Sequence, residues 1–210
     1  MYVPKHFEET RIDLLHALIR EHPLGTLVTT TSAGLEANHI PFEISGEGGF
    51  GTLRGHVARA NPVWKDASPD HDALVLFGGP QAYISPAWYA TKREGGKVVP
   101  TWNYAVVHVH GRLRTIDDAG WLRALVTRLT DRHEAARDDR WRVTDAPEEF
   151  VAQMLRAIVG VEIAITRIVG KWKVSQNRPE RDRAGAAEGL LREGDEAARA
   201  MAALVRNADG

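Results

Sequence analysis

The run Gly55-His56-Val57-Ala58-Arg59-Ala60-Asn61-Pro62 holds the residue types and spacing that could most directly do chemistry. A β-rich run ends there, Asn61 can cap, and Pro62 has the fixed backbone angle that suits the first position of a helix through Val63 to Ala67. A helix N-terminus offers unpaired N–H groups and a partial positive charge, and the guanidinium of Arg59 adds a fork of donors beside it. Such a junction can hold a phosphate. The same residues equally describe an arginine in a surface ion pair beside a routine helix start, and taken alone they favour that plainer reading.

Three other stretches carry candidate binding groups. In Glu36 to Phe42, Pro41 inside a strand marks a sheet edge or bulge, where the backbone of His39, Ile40 and Pro41 is free to meet a ligand; a bulged edge strand with a satisfied His39 is the bland alternative. Phe77 to Tyr104, FGGPQAYISPAWYATKREGGKVVPTWNY, reads as irregular yet carries Tyr83, Trp88, Tyr89, Trp102 and Tyr104. Those rings need cover from a planar ligand, from a partner subunit, or from the chain's own sheet. Ser175-Gln176-Asn177-Arg178, preceded by Lys171 and Lys173, is a polar and basic cluster that fits a ligand contact or a solvated strand end. His108 and His110 lie two apart on one strand face, but no third ligand is indicated, so no metal site is expected. The sequence holds none of the motifs GxSxG, HExxH, GxGxxG or the Walker loop, so any redox chemistry would belong to a cofactor.

Elements that position these groups follow from periodicity. Ile12, Leu15, Leu18 and Ile19 recur at helical spacing, with His16 packed beside them, and Pro23 and Gly25 end that helix. Gly25 to Ala58 reads as β-runs broken by Ser32-Ala33-Gly34 and by Ser45 to Gly49, which is turn chemistry for antiparallel hairpins. Asp72 to Phe77 and Ala82 to Ser85 read as two further short strands. Between Asn103 and Ile116, Val107, Val109 and Leu113 alternate with His108, His110, Arg112 and Arg114, the mark of a half-buried strand.

Two helices come next. One, capped by Asp117 or Asp118, has the stripe Trp121, Leu122, Leu125, Val126 and Leu129; the other, started by Asp145 with Glu148 as a capping box, has Phe150, Val151, Met154, Leu155 and Ile158. A strand over Ile158 to Val174 and two C-terminal helices, separated by Gly194 with Asp195 as cap, complete the chain. The expected class is mainly β with flanking helices, a closed or nearly closed antiparallel barrel.

Composition sets the outer bounds. The chain has 210 residues with 43% hydrophobic, enough for one domain with appended helices. Lys and Arg number 27 against 28 Asp and Glu, so no global field draws the chain to nucleic acid or anionic lipid, and DNA binding would need a local patch. There is no cysteine, no apolar leader and no run of membrane-span length; a soluble cytoplasmic protein without a membrane partner is expected.

Five blocks in order, MYVPKHF at Met1, GHVARANP at Gly55, AYISPAWY at Ala82, VPTWNY at Val99 and GKWKVSQNR at Gly170, resemble the PaiB-like family of FMN-binding negative transcriptional regulators. The resemblance covers residues 1–183 and implies an FMN-binding split barrel of the flavin-reductase and pyridoxamine-oxidase type, with 184–210 as a helical extension. It implies FMN as cofactor and a homodimer with the flavin at the subunit interface. On that pattern Arg59, with His56, Ala58 and Asn61, holds the phosphate; His39, Ile40 and Pro41 run along the isoalloxazine; Trp102 and Asn103 reach the flavin from the second subunit; Gln176 and Arg178 stand near the flavin or a substrate anion. The implied function is negative regulation of transcription, with DNA or a small-molecule effector as partners. The competing function is a flavin-dependent oxidoreductase acting on a small molecule.

Overall fold

The computed structural model describes residues 1–208; the last two residues of the expected helical extension, 209 and 210, lie outside the described residues. Its strands and helices run β1 (Glu8–Glu9), α1 (Ile12–Glu21), β2 (Leu24–Thr31), β3 (Gly34–Pro41), β4 (Glu43–Ser45), β5 (Thr52–Ala58), α2 (Val63–Asp66) and β6 (Ala73–Ile84). There follow α3 (Lys92–Gly95), β7 (Thr101–Ile116), α4 (Ala119–Glu134), α5 (Glu148–Arg156), β8 (Ile158–Lys173), α6 (Glu180–Glu193) and α7 (Glu196–Arg206). The strands form one sheet of order β3-β2-β6-β7-β8-β5-β4, with β1 on β8. Contacts gather into two compact units, one of Met1–His22, Phe77–His108 and the chain from Val169, the other of Pro23–Leu76 and Val109–Ile168. No helix among the described residues is long and apolar enough to cross a membrane.

In the second unit, the expected hairpins are present. β2 and β3 pair antiparallel from Leu24↔Pro41 to Thr31↔Gly34, and Gly34 takes the positive φ of 117° that the tight turn requires. β4 pairs with β5, and β5 with the start of β8, where Val57, Val159, Val161 and Ile163 are buried. β3 is an edge strand that ends at Pro41, as a residue without an N–H demands.

Asp118 caps α4, its Oδ1 accepting from Trp121 N–H at 2.7 Å, while Leu122 and Leu125 pack with Val143, Val151 and Leu155. Two expectations fail here. Asp145 does not cap α5; its carboxylate turns back to accept from Arg142 N–H at 2.8 Å and closes the short 3-10 turn Val143–Asp145. α5 buries only Val151 and Leu155, so Phe150 and Met154, 52% and 43% exposed, stand outside the stripe that the spacing predicts.

In the first unit, α1 buries Leu15, His16, Leu18 and Ile19. α6 and α7 pack as a pair, broken by Gly194 in the left-handed conformation at φ 79°, with Asp195 Oδ1 accepting from Ala198 N–H at 2.7 Å. Their buried face joins Ile84, Val174, Ala187, Leu190, Met201 and Val205 in one apolar cluster.

The aromatic segment is far less irregular than its sequence reads. The two short strands expected on either side of Gly78-Gly79-Pro80 are one strand, β6. Gly79 is needed for contact rather than for a turn, because a Cβ there would stand 2.8 Å from Leu18 Cδ1 and 3.2 Å from the Ala105 carbonyl oxygen. Tyr83 therefore sits on β6, and Trp102 and Tyr104 on β7. Trp88 lies in the 3-10 turn Pro86–Trp88, started by Ser85, whose Oγ accepts from Ala87 N–H at 3.2 Å.

Candidate functional site

The sequence-derived site residues fall into two groups, one in each unit. In the second unit the group is built on the end of β5 and the one-turn helix after it. Val63 opens that helix rather than Pro62, and Asn61 Oδ1 accepts from Val63 N–H at 2.9 Å. Asn61 Nδ2 donates to Asn38 Oδ1 at 2.7 Å, which ties the loop to β3 and thus to His39, Ile40 and Pro41. His39 and Pro41 are exposed and Ile40 is buried; Ala58 ends β5 exposed. His56 is half-buried, its Nδ1 has no hydrogen-bond partner, and burial holds its pKa below the ordinary 6.5, so it is a neutral ring with an unspent polar atom.

Arg59 is the best-held cation of this group. Its Nη1 and Nη2 donate to the two carboxylate oxygens of Asp117 at 2.8 and 2.5 Å. Nε donates to the Arg156 carbonyl at 2.7 Å and Nη2 also to the Ile158 carbonyl at 3.0 Å. The hydrogen bond raises the pKa of Arg59 and lowers that of Asp117, so both are charged throughout the neutral range. Trp64 braces the arrangement: its Nε1 donates to the Arg59 carbonyl at 3.0 Å, and its ring lies 6.0 Å from the guanidinium and 4.6 Å from the Lys65 ammonium. Asp117, which the sequence offered only as an alternative helix cap, takes both Nη donors of the fork. A pair 37% and 59% exposed is open to exchange with a dissolved anion.

In the first unit the group gathers on Ser175, whose φ of 67° is the single positive value among described non-glycine residues. Asn103 is fully buried, and its Nδ2 donates to Ser175 Oγ at 2.9 Å while its Oδ1 has no partner. Gln176 folds onto its own strand end, Oε1 accepting from Val174 N–H at 2.8 Å and Nε2 donating to the Trp172 carbonyl at 2.5 Å. The Arg178 guanidinium lies 4.9 Å from the centre of the Tyr89 ring. Burial pushes the Tyr89 hydroxyl up, against the pull of that cation.

Trp102 points the other way from Asn103, as alternation on a strand requires, and is 50% exposed. Its Nε1 donates to Gln81 Oε1 at 3.1 Å, and the Tyr83 ring, 47% exposed, meets it edge-on at 6.4 Å between centroids. Among the described residues no three His, Cys, Asp or Glu side chains are grouped as metal ligands.

The cover for the other aromatics was missed in the sequence. Gly185 and Gly189, four apart on α6, leave a slot for Trp88; a Cβ at Gly189 would stand 2.5 Å from the ring's Cγ and Cε2, and one at Gly185 would overlap the Trp88 carbonyl oxygen. Tyr89 is 2% exposed in the same cluster. Asp182, 1% exposed, fixes the turn by accepting from Thr91 N–H at 2.9 Å and Thr91 Oγ1 at 2.6 Å. The signal was present as a Gly-x-x-x-Gly spacing in a helical run. Trp88 and Tyr89 are thus covered by the chain's own helices, while Trp102 and Tyr83 keep about half their surface open.

In the second unit an arginine fork in an exchangeable pair, an edge-strand backbone and an unspent imidazole nitrogen are groups that suit a phosphorylated ligand; in the first unit Tyr83 and Trp102 offer exposed ring surface. Comparisons with known proteins show the family. Residues 1–167 match the family model described as "Putative FMN-binding domain". The chain is 33% identical over 207 residues to the protease synthase and sporulation protein PAI 2 of Bacillus subtilis, covering 99% of this chain and 97% of that protein. It is 34% identical over 242 residues to an uncharacterised protein of Emericella nidulans, covering 98% and 96%. The solved flavocytochrome Anf3 of Azotobacter vinelandii superposes with a TM-score of 0.61 at 14% identity, over 81% of this chain and 72% of that one, and so shares its fold. Mainly antiparallel in fold, a split barrel with flanking helices, the chain belongs to the FMN-binding family of which the Bacillus protein is a relative, and its cofactor is FMN.

Proposed function

We propose that this FMN-binding protein is a cytoplasmic homodimer that acts as a negative regulator of transcription, with weak and poorly selective DNA contact of its own. Its output passes through a small flavin-linked ligand or a second protein. The 33% identity to a Bacillus subtilis protein named for protease synthesis and sporulation supports a role in control. The observation that carries the indirect route is the state of the basic side chains. Arg112 lies 3.2 Å from Asp72, Arg114 3.5 Å from Glu162 and Arg181 2.7 Å from Glu94. Lys171 Nζ donates to the Tyr2 carbonyl at 3.1 Å and Lys173 Nζ to Thr101 Oγ1 at 2.5 Å. A DNA phosphate that drew these arginines away would leave Asp72, Glu162 and Glu94 as unpaired acids beside the duplex, so the net charge neutralised is small.

FMN supplies a planar, redox-active ring and a dianionic phosphate. In this reading Arg59 exchanges Asp117 for the phosphate, and the backbone of His39 to Pro41 follows the ring edge. Trp102 of the partner subunit walls off the flavin, while Asn103, buried on the opposite face of the strand, acts through Ser175 on the strand end that puts Gln176 and Arg178 at the polar side of the ring. The exposed Tyr83 and Trp102 pair supports the dimer, since large rings left half open belong at an interface.

The reading is checked by selecting genomic fragments at physiological salt, with flavin reduction by nicotinamide donors measured alongside. The expected preference for any fragment is within about tenfold of random duplex, far below the specificity ratio of a direct repressor. Tight binding to one defined site overturns the indirect route. Rapid reduction with reoxidation by an added acceptor, and no selected DNA, makes the protein an oxidoreductase instead.

A further inference from the structure

We infer that a groove lined by α1 and α7 in the first unit is a binding site for a small hydrophobic amine. The groove has a volume of about 690 Å³, the size of a small-molecule pocket. Leu14, Leu18, Trp172 and Leu204 give it an apolar lining, with Ala200 and Ala203 keeping the α7 side shallow. Such a surface takes a hydrocarbon or aromatic body.

Charge at the rim selects the head group. Glu8, Glu9, Glu21 and Arg11 line the groove. Glu9 and Arg11 cancel each other: Glu9 Oε1 accepts from Arg11 N–H at 2.8 Å and Nε at 3.0 Å, and Oε2 from Nη2 at 2.7 Å. Glu8 and Glu21 are exposed, and neither takes part in an ion pair among the described residues. Two carboxylates are thereby left over a greasy floor.

Helix ends add to the same field. Glu21 is the last residue of α1, a position where the helix dipole disfavours an acid and favours a cation. α7 also ends here, since Asn207 and Ala208, the residues just past its last turn, line the groove with Glu21 and His22. Two helix C-termini and two uncompensated carboxylates make the rim electronegative. An ammonium group is welcomed there and a phosphate is repelled, so the groove takes a different ligand from the FMN phosphate, although Gln176, assigned to the polar side of the flavin, also lines it and makes the two sites neighbours.

The test is calorimetric titration of the full-length, flavin-loaded protein with phenethylamine and with 3-phenylpropionate, which carry the same body and opposite charges. Phenethylamine is expected to saturate at one per chain, with 3-phenylpropionate at least about tenfold weaker. The double variant Glu8→Gln/Glu21→Gln, at exposed positions that leave the core untouched, should weaken phenethylamine by about tenfold. Ala203→Trp, also exposed, should fill the groove and abolish binding with circular dichroism and bound flavin unchanged. Equal affinity for the two probes, no saturable binding of phenethylamine at millimolar concentration, or undiminished binding in Ala203→Trp each overturns the proposal. So does an Ala203→Trp protein that changes its sedimenting mass, which makes the groove an interface between copies.

Discussion

Arg59→Ala is expected to weaken FMN by about tenfold to a hundredfold, the worth of one charge-assisted arginine–phosphate contact, and to leave riboflavin within about twofold. The difference arises because riboflavin lacks the phosphate that Arg59 would hold. The structure sharpens the expectation through Asp117, which takes both Nη donors in a pair that is ionised at neutral pH. Phosphate must displace that carboxylate. Asp117→Asn removes the competing charge and should strengthen FMN by about threefold or more, again without effect on riboflavin. Fluorescence titration of both flavins checks each variant. Equal weakening of both flavins by Arg59→Ala, with circular dichroism unchanged, removes the phosphate from Arg59 and returns the residue to a structural ion pair.

Gly189→Leu should cost about 2 kcal/mol or more, from overpacking against the half-buried Trp88 and loss of its packing, and lower the melting midpoint by roughly 6 °C. Inside an exposed helix, exchanging glycine for leucine ordinarily gains up to about 1 kcal/mol of helix propensity. Here the sign reverses, because the new side chain enters the space of the Trp88 ring, and Trp88 cannot slide away while Gly185 holds its carbonyl. Release of Trp88 also unseats Tyr89 and the α6 face that buries Leu190. Gly46→Ala is the control, since nothing lies within 4 Å of a Cβ there. A Gly189→Leu melt equal to or above that of the natural chain means that Trp88 does not dock on α6.

The parts of the fold legible in the sequence are those set by neighbours along the chain. Ser32-Ala33-Gly34 made its hairpin turn, Asp118 capped α4, and Gly194-Asp195 separated α6 from α7. What could not be read depends on residues far apart. Gly78-Gly79-Pro80 has turn chemistry, yet it continues a strand, and Gly79 there leaves the space that Leu18 fills. Trp88 and Tyr89 looked uncovered until α6, about a hundred residues on, supplied the cover. Phe150 and Met154 repeat at helical spacing, but the partners of α5 reach only Val151 and Leu155. At the site, the Arg59 junction and the edge strand before Pro41 were visible as residue types; the Asp117 counter-ion, 58 positions away, was not.

The measurement closest to the central claim is sedimentation velocity of the purified protein at micromolar concentration with FMN, followed at both the protein and the flavin absorbance. The account predicts that flavin travels with a species of twice the 23.2 kDa chain mass, one FMN per chain. Trp102→Ala should shift mass and flavin together toward monomer and free cofactor. Flavin carried by a 23.2 kDa species, or a dimer that retains FMN undiminished in Trp102→Ala, contradicts it.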